Sequence, residues 1–163
     1  MKSQTSEILF AIEKKDLWAF LLIVLSLFFV FYDVFTMKWS FLAGDHIAQQ
    51  VPWARFFQNQ LRRFSLPWWT THMHAGFPLL AEGQVGAFYA VNLFFLWLFP
   101  LKFAYSYEII FHYILGAFLF YCFLRRKNVS RCGSVFGTLI YLYGSTQGGY
   151  FYYNLISQRV VIW

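Results

Sequence analysis

Charged residues are scarce in this sequence, and acidic residues are the scarcest of them. Only 12% of the 163 residues are charged and seven are acidic, whereas 60% are hydrophobic and 25% are aromatic. Soluble domains average about 25% charged and about 45–50% apolar residues. The composition therefore argues against an ordinary soluble domain and predicts an integral membrane protein.

Two features of secreted proteins are also missing. The chain has only two cysteines, Cys122 and Cys132, and they flank a basic segment, so no disulfide framework is predicted. The apolar run that begins at Leu17 is not followed by a small-residue cleavage site. We therefore expect this run to be a retained membrane span and not a removed signal peptide.

The net charge of +6 comes from basic residues that sit mostly beside apolar runs. Positive residues in such places set the orientation of membrane spans, so no nucleic-acid partner is predicted. Lys14 and Lys15 precede the first apolar run, and four basic residues fall within 125–131 after a later one. The positive-inside tendency places both basic segments in the cytoplasm, and the protein in the cell membrane as a multi-pass chain with a cytoplasmic N-terminus.

Three apolar segments predict membrane spans, and the fold class is all-α with polytopic transmembrane helices. Residues 17–37, 104–124 and 132–148 are each near the length that crosses a bilayer, which is about 20 residues. Residues 1–16 form a cytoplasmic segment and residues 38–103 a large extracytoplasmic loop. Because three spans make an incomplete bundle and the chain stops as another apolar run begins, we expect an N-terminal fragment of a longer protein.

Two interfacial helices are predicted within the loop. The first begins near Pro52, because apolar residues recur there every three or four positions with arginines on the opposite arc. Its apolar positions are Ile47, Val51, Ala54, Phe57, Leu61 and Phe64. The second covers residues 88–99, which at about 1.5 Å per residue extend only about 18 Å and are too short to cross a bilayer.

The loop carries two sets of side chains that suit a charged ligand. Three arginines either hold a phosphate group or form the polar face of an interfacial helix against anionic headgroups. They are Arg55, Arg62 and Arg63. Three histidines, with a neighbouring carboxylate, are candidate ligands of a divalent metal ion, which is the cofactor that the sequence suggests. They are His46, His72 and His74.

Four further polar residues are candidates for substrate binding. Glu82 and Gln84 lie in the glycine-rich part of the loop. Glu108 and His112 are four residues apart in the second predicted span and therefore share one helix face. Ionisable groups at that depth usually face a protein interior or a wet cavity, so this pair is either functional or satisfied by mutual contact.

Four short motifs in the loop resemble the bacterial YfhO family of membrane proteins. The family opens its first exterior loop with Gly-Asp, followed by Gln and Pro with an aromatic residue. Three further patterns follow: L-P-x-W, G-x-P-x-x-A and Q-x-x-x-F-Y-P-x-N-L. The matching segments here are residues 44–53, 66–69, 76–81 and 84–93. The sequence departs from the family at Ala90, where Pro is usual.

The resemblance implies a membrane glycosyltransferase of the GT-C type. In that superfamily an acidic residue early in the first exterior loop is a catalytic base or metal ligand, and Asp45 stands at the matching position. The implied donor is a sugar on a polyprenyl phosphate, the acceptor is a cell-envelope polymer or lipid, and membrane lipids surround the chain. Two readings stay open: Asp45 as a turn or helix-capping residue, and the chain as a non-catalytic assembly or transport component or an inactive fragment.

Overall fold

The computed structural model describes residues 13–38, 46–73 and 75–144. Of these residues 74% are helical and none lies in a strand, which confirms the all-α class. Within this part of the chain the α-helices are α1 (Lys14–Val30), α2 (Tyr32–Phe35), α3 (Val51–Arg62), α4 (Ala90–Leu98), α5 (Leu101–Arg126) and α6 (Arg131–Tyr143). A π-helical turn, His46–Gln50, leads into α3, and two 3-10 turns, Leu79–Ala81 and Gly83–Val85, precede α4.

The chain divides into two compact units. The first, which we call the helical unit, contains the described residues 13–32 and 113–144. The second, the loop unit, contains the described residues 33–38, 46–73 and 75–112. Each unit has its own buried residues and its own polar contacts.

The helical unit packs α1, the later part of α5 and α6 through one face of each helix. The Phe20 and Phe118 rings meet edge to face at 5.4 Å, and Phe120 stacks on Tyr141 at 4.5 Å. The buried positions recur at spacings of three and four, as expected for one stripe of each helix. They include Ile23, Leu27, Ala117, Tyr121, Thr138 and Leu142. The opposite faces leave large apolar side chains exposed, among them Trp18, Leu22, Phe29, Leu119 and Ile140.

Of the predicted spans, the second is the best supported. Among the described residues, α5 is the one helix that is long and apolar enough to cross a membrane. The first predicted span, residues 17–37, is not one continuous helix: α1 ends at Val30, and Phe31 leaves the helical conformation before the single turn of α2. The described part of the third predicted span is α6, with 13 residues.

In the loop unit the helix predicted to begin near Pro52 is α3, with Pro52 in its first turn, where a missing N–H costs nothing. Its predicted place at the membrane surface stays a prediction. Its buried face consists of Trp53, Ala54, Phe57 and Gln58. This face packs against α4, which confirms that residues 88–99 contain a short helix.

Phe64 corrects the predicted apolar face of α3, because it lies beyond the end of the helix. The helix closes at Arg63, after which the Phe64 N–H donates to the Leu61 carbonyl and the Ser65 N–H donates to the Gln60 carbonyl. This pair of bonds is a Schellman motif, which requires a left-handed residue after the cap. Phe64 takes that conformation at φ 54°, and its side chain is 91% exposed.

Candidate functional site

A cleft of about 300 Å³ opens on one side of α3 in the loop unit. One wall is α3, and the other is the segment that follows the turn after it. The lining residues are Pro52, Arg55, Phe56 and Asn59 from α3, with Thr70, His72 and Met73 from the later segment. Two candidates from the sequence, Arg55 and His72, are therefore brought together here.

A short backbone pairing holds the second wall in place. Thr70 and Phe77 exchange two backbone hydrogen bonds, at 2.9 and 2.8 Å, and the Phe77 ring stacks on Trp53 of α3 at 5.8 Å. Thr70 is buried, and its hydroxyl accepts from the His72 backbone N–H at 3.3 Å. The Phe56 ring meets the His72 ring edge to face at 6.2 Å. These contacts place the imidazole at the cleft.

The cleft has the donors that an anion requires. The Arg55 side chain is exposed, and no carboxylate within residues 13–38, 46–73 and 75–144 forms an ion pair with it. The Asn59 amide and the His72 ring line the same space. A guanidinium matches the geometry of phosphate oxygens and makes charge-assisted hydrogen bonds that are stronger than neutral ones. Arg55 therefore offers a phosphate group a cationic partner in a cleft whose lining is otherwise largely apolar.

Two buried side-chain amides, one on α3 and one on α4, bond to backbone carbonyls of the loop unit. Gln58 Nε2 donates to the carbonyl of Leu96 at 2.6 Å and to that of Phe99 at 2.8 Å. Asn92 Nδ2 donates to the carbonyls of Val85 and Gly86, at 2.9 and 3.0 Å. The Gln58 bonds tie α3, the helix that carries Arg55, to the end of α4, and the Asn92 bonds tie α4 to the turn before it. Gln58 lies among apolar positions of the α3 pattern, which was the signal that could have identified it.

The other loop candidates lie elsewhere. Gln84 accepts from Gln50 Nε2 at 3.2 Å, so it belongs to the packing between the π-helical turn and the glycine-rich segment. Glu82 joins the two 3-10 turns and is half-buried. Arg62 and Arg63 end α3, are exposed, and are not among the residues that line the cleft. Of the three candidate arginines, Arg55 alone is among the residues that line this cleft.

Glu108 and His112 do share a face of α5, and the contact between them uses the backbone. His112 Nδ1 lies 2.7 Å from the Glu108 carbonyl oxygen, and its Nε2 is bonded to the Tyr89 hydroxyl. Because a carbonyl only accepts, the ring proton is on Nδ1. Glu108 is 1% exposed. Both ring nitrogens of His112 are therefore engaged within the loop unit, which fits the reading of a satisfied residue.

The predicted base and metal ligands fall largely outside the described residues. This is true of Asp45, of His74 and of the His46 side chain. Among the residues that the structure describes, no group of three or more His, Cys, Asp or Glu side chains is arranged to hold a metal ion. The roles of Asp45 and of a metal ion therefore stay predictions.

Sequence reasoning missed a buried ionic cluster in the helical unit. Asp16 is 2% exposed and accepts from Tyr121 at 2.9 Å, from Arg125 at 3.0 Å and from Arg131 at 3.3 Å. Burial by itself would raise the pKa of this carboxyl, but hydrogen bonds from Tyr121, a backbone N–H and Arg125 outweigh it and lower the pKa below its ordinary value. The ionised carboxylate thus ties the start of α1 to the end of α5 and the start of α6.

A signal for this cluster was present in the sequence. Asp16 stands directly before the first apolar run, and the predicted topology places that end of the run on the same side as residues 125–131. An acid so placed has basic partners available, although the sequence alone does not say which of them it contacts.

No protein-family model, no curated protein and no solved structure matches this chain. The YfhO resemblance accordingly stays a prediction.

Proposed function

We propose that this chain belongs to a polytopic membrane glycosyltransferase of the GT-C type that transfers a sugar from a polyprenyl-phosphate donor to a cell-envelope acceptor on the outer face. The observation that carries the proposal is the cleft beside α3, in which Arg55, Asn59 and His72 converge. These groups favour a phosphate ligand, and the motifs of the loop favour a lipid-linked sugar as the molecule that bears it.

A membrane location is supported by the exposed faces of the helical unit. Only 33% of the most apolar 18-residue stretch of α5 is buried, whereas the core helix of a soluble protein is mostly buried. Within the described residues, large apolar side chains on the outer faces of α1 and α6 are exposed, an arrangement that is unfavourable in water. Lipid would cover them, so we place all three helices in the bilayer.

The orientation of the helices is supported by the Asp16 cluster. It joins the N-terminal end of α1 to the C-terminal end of α5, so these two helices run in opposite directions within the helical unit. Lys14 and Lys15 then lie at the same end as residues 125–131. The positive-inside tendency puts this end in the cytoplasm and the loop that joins the two spans outside.

The proposed reaction assigns one role to each group. Asp45 takes the proton from an acceptor hydroxyl, whose oxygen attacks the anomeric carbon of the donor sugar. The bond from that carbon to the phosphate oxygen breaks, and the polyprenyl phosphate leaves with the electron pair. Arg55 stabilises the charge that develops on the leaving phosphate, and a cation held at that position is among the largest contributions available to such a step.

The proposal is tested with the full chain, purified in detergent and supplied with a polyprenyl-phosphate sugar. We expect Asp45→Asn to lower turnover by about 10²–10⁴-fold, the usual contribution of a general base. Arg55→Gln should lower it by about 10–100-fold, because a charge-assisted hydrogen bond contributes about 1.5–3 kcal/mol. Lys102→Gln is the matched control, since Lys102 is an exposed cation of the same unit outside the cleft.

The outcomes separate the alternatives. Transfer that is lost in Asp45→Asn and Arg55→Gln but kept in Lys102→Gln supports the enzyme. Donor binding without any transfer by the wild-type chain would indicate a non-catalytic component or an inactive fragment. Transfer that is equal in all variants would remove the cleft from the mechanism.

A further inference from the structure

Residues 62–69 run from the last residue of α3 to the second wall of the cleft, and we call them the wedge segment. They expose several large apolar side chains. Phe64 is 91% exposed, Trp68 65% and Trp69 57%. Leu66 is also exposed, and Arg62 and Arg63 begin the segment with exposed cationic side chains. Several exposed aromatic side chains close together in the chain, next to exposed cations, are typical of an interaction site and not of a water-exposed turn.

Phe64 combines an unfavourable backbone conformation with an exposed aromatic ring. Phe64 occupies the left-handed region at φ 54°, a conformation that is rare for a bulky residue and that glycine adopts without strain. The same residue leaves its ring outside the protein. A strained backbone that also exposes an aromatic ring indicates that the ring has a task outside the chain.

The segment is held in shape from below. Pro67 is buried between exposed neighbours, and the Trp68 N–H donates to the Leu66 carbonyl at 2.9 Å. The Trp69 indole lies directly on the backbone of Gly76, where an added Cβ would come within 2.5 Å of Cζ2 of the indole. The aromatic side chains are therefore presented by a fixed turn and need little ordering when they meet a partner.

We infer that the wedge segment inserts into the headgroup region of a lipid bilayer that contains anionic lipids. Indole rings favour the boundary between headgroups and acyl chains, and Phe64 and Leu66 supply the apolar surface that reaches below it. Arg62 and Arg63 complement lipid phosphates at the same level. The aromatic groups match the boundary of the acyl chains, and the cationic groups match the charge of the headgroups.

The insertion has a consequence for the neighbouring cleft. Thr70, His72 and Met73 follow the wedge segment directly in the chain, so anchoring the segment would hold the second wall above the inserted side chains, on the water side of the headgroups. The inference concerns lipid contact alone and stands whether or not the chain transfers a sugar.

The test places an environment-sensitive fluorophore in the wedge segment. A full-length chain with Cys122→Ser and Cys132→Ser receives Ser65→Cys, which adds a label between Phe64 and Leu66 without removing either. The chain is placed in nanodiscs of phosphatidylcholine and phosphatidylglycerol that contain lipids with quenchers near the headgroup. We expect quenching about twofold stronger than at Thr71→Cys, an exposed position outside the wedge segment.

A second variant separates the wedge from its scaffold. Phe64→Gly keeps the helix cap, because glycine suits the left-handed position, but removes the inserted ring. Lipid quenching of the Ser65→Cys label should then fall to the level of Thr71→Cys. Equal quenching at both labels in the parent chain, unchanged quenching in Phe64→Gly, or quenching that occurs only in discs with two chains would each overturn the inference. The last result would assign the segment to a contact between copies.

Discussion

Arginines of the helical unit and of the loop unit differ in what they face. Arg125 and Arg131 both point to the buried carboxylate of Asp16, and Arg131 also pairs with Glu13. Arg55 in the loop unit points instead into a cleft and forms no ion pair with any described carboxylate. The position of an acidic partner therefore separates a structural arginine from one that is available to a ligand, and a sequence with seven acidic residues has few such partners to offer.

The same contrast appears between neighbouring residues of α3. Gln58 is buried, and its amide donates hydrogen bonds to two carbonyls at the end of α4, whereas Asn59 is exposed and lines the cleft. A single step along the helix, a rotation of about 100°, thus separates a residue that fixes the scaffold from one that lines the cleft. Stability and binding should respond to different members of this pair.

The largest effect is expected at Asp16. Asp16→Asn removes a buried carboxylate and leaves two arginines without their shared partner, which we expect to lower the free energy of unfolding by about 3–5 kcal/mol. Glu13→Gln is the control, because Glu13 pairs with one of the same arginines but is 60% exposed, and exposed pairs contribute only about 0–1 kcal/mol. The measurement is denaturant unfolding of the purified chain in detergent. Similar losses in the two variants would show that the buried cluster is not a structural tie.

A smaller effect is expected at Gln58. Gln58→Leu keeps the shape of the side chain but leaves the Leu96 and Phe99 carbonyls without this donor, which should cost about 1–3 kcal/mol of stability. Asn59→Leu on the exposed side should change stability by less than about 0.5 kcal/mol. Its effect should appear in ligand binding instead. If Asn59→Leu destabilised the chain as much as Gln58→Leu, the division between scaffold and cleft would fail.

Local chemistry in the sequence predicted the elements of the loop unit well. Pro52 and the spacing of Ala54 and Phe57 predicted α3, and the short apolar run before Pro100 predicted α4. These features depend on residues within a few positions of one another, where periodicity and proline geometry act directly. The position of Phe64 was wrong because the pattern continued past the residue where the backbone turns.

Long-range pairing is the part that the sequence did not reveal. Asp16 and Tyr121 are 105 residues apart, and Gln58 and Phe99 are 41 apart. No local pattern encodes which side chain meets which across such distances. The site shows the same division. The sequence predicted both Arg55 and His72 as site residues, but it did not predict the Thr70–Phe77 pairing beside which they line one cleft. It also did not predict that Arg62 and Arg63 lie outside that cleft.

Binding of a polyprenyl monophosphate to the purified chain, compared with the matching polyprenyl alcohol, tests the central claim most directly. We expect the wild-type chain and Lys102→Gln to bind the phosphate more tightly than the alcohol. Arg55→Gln should bind the phosphate about tenfold more weakly, which corresponds to about 1.4 kcal/mol, and should bind the alcohol as before. Equal binding of phosphate and alcohol by the wild-type chain, or unchanged phosphate binding by Arg55→Gln, would contradict it.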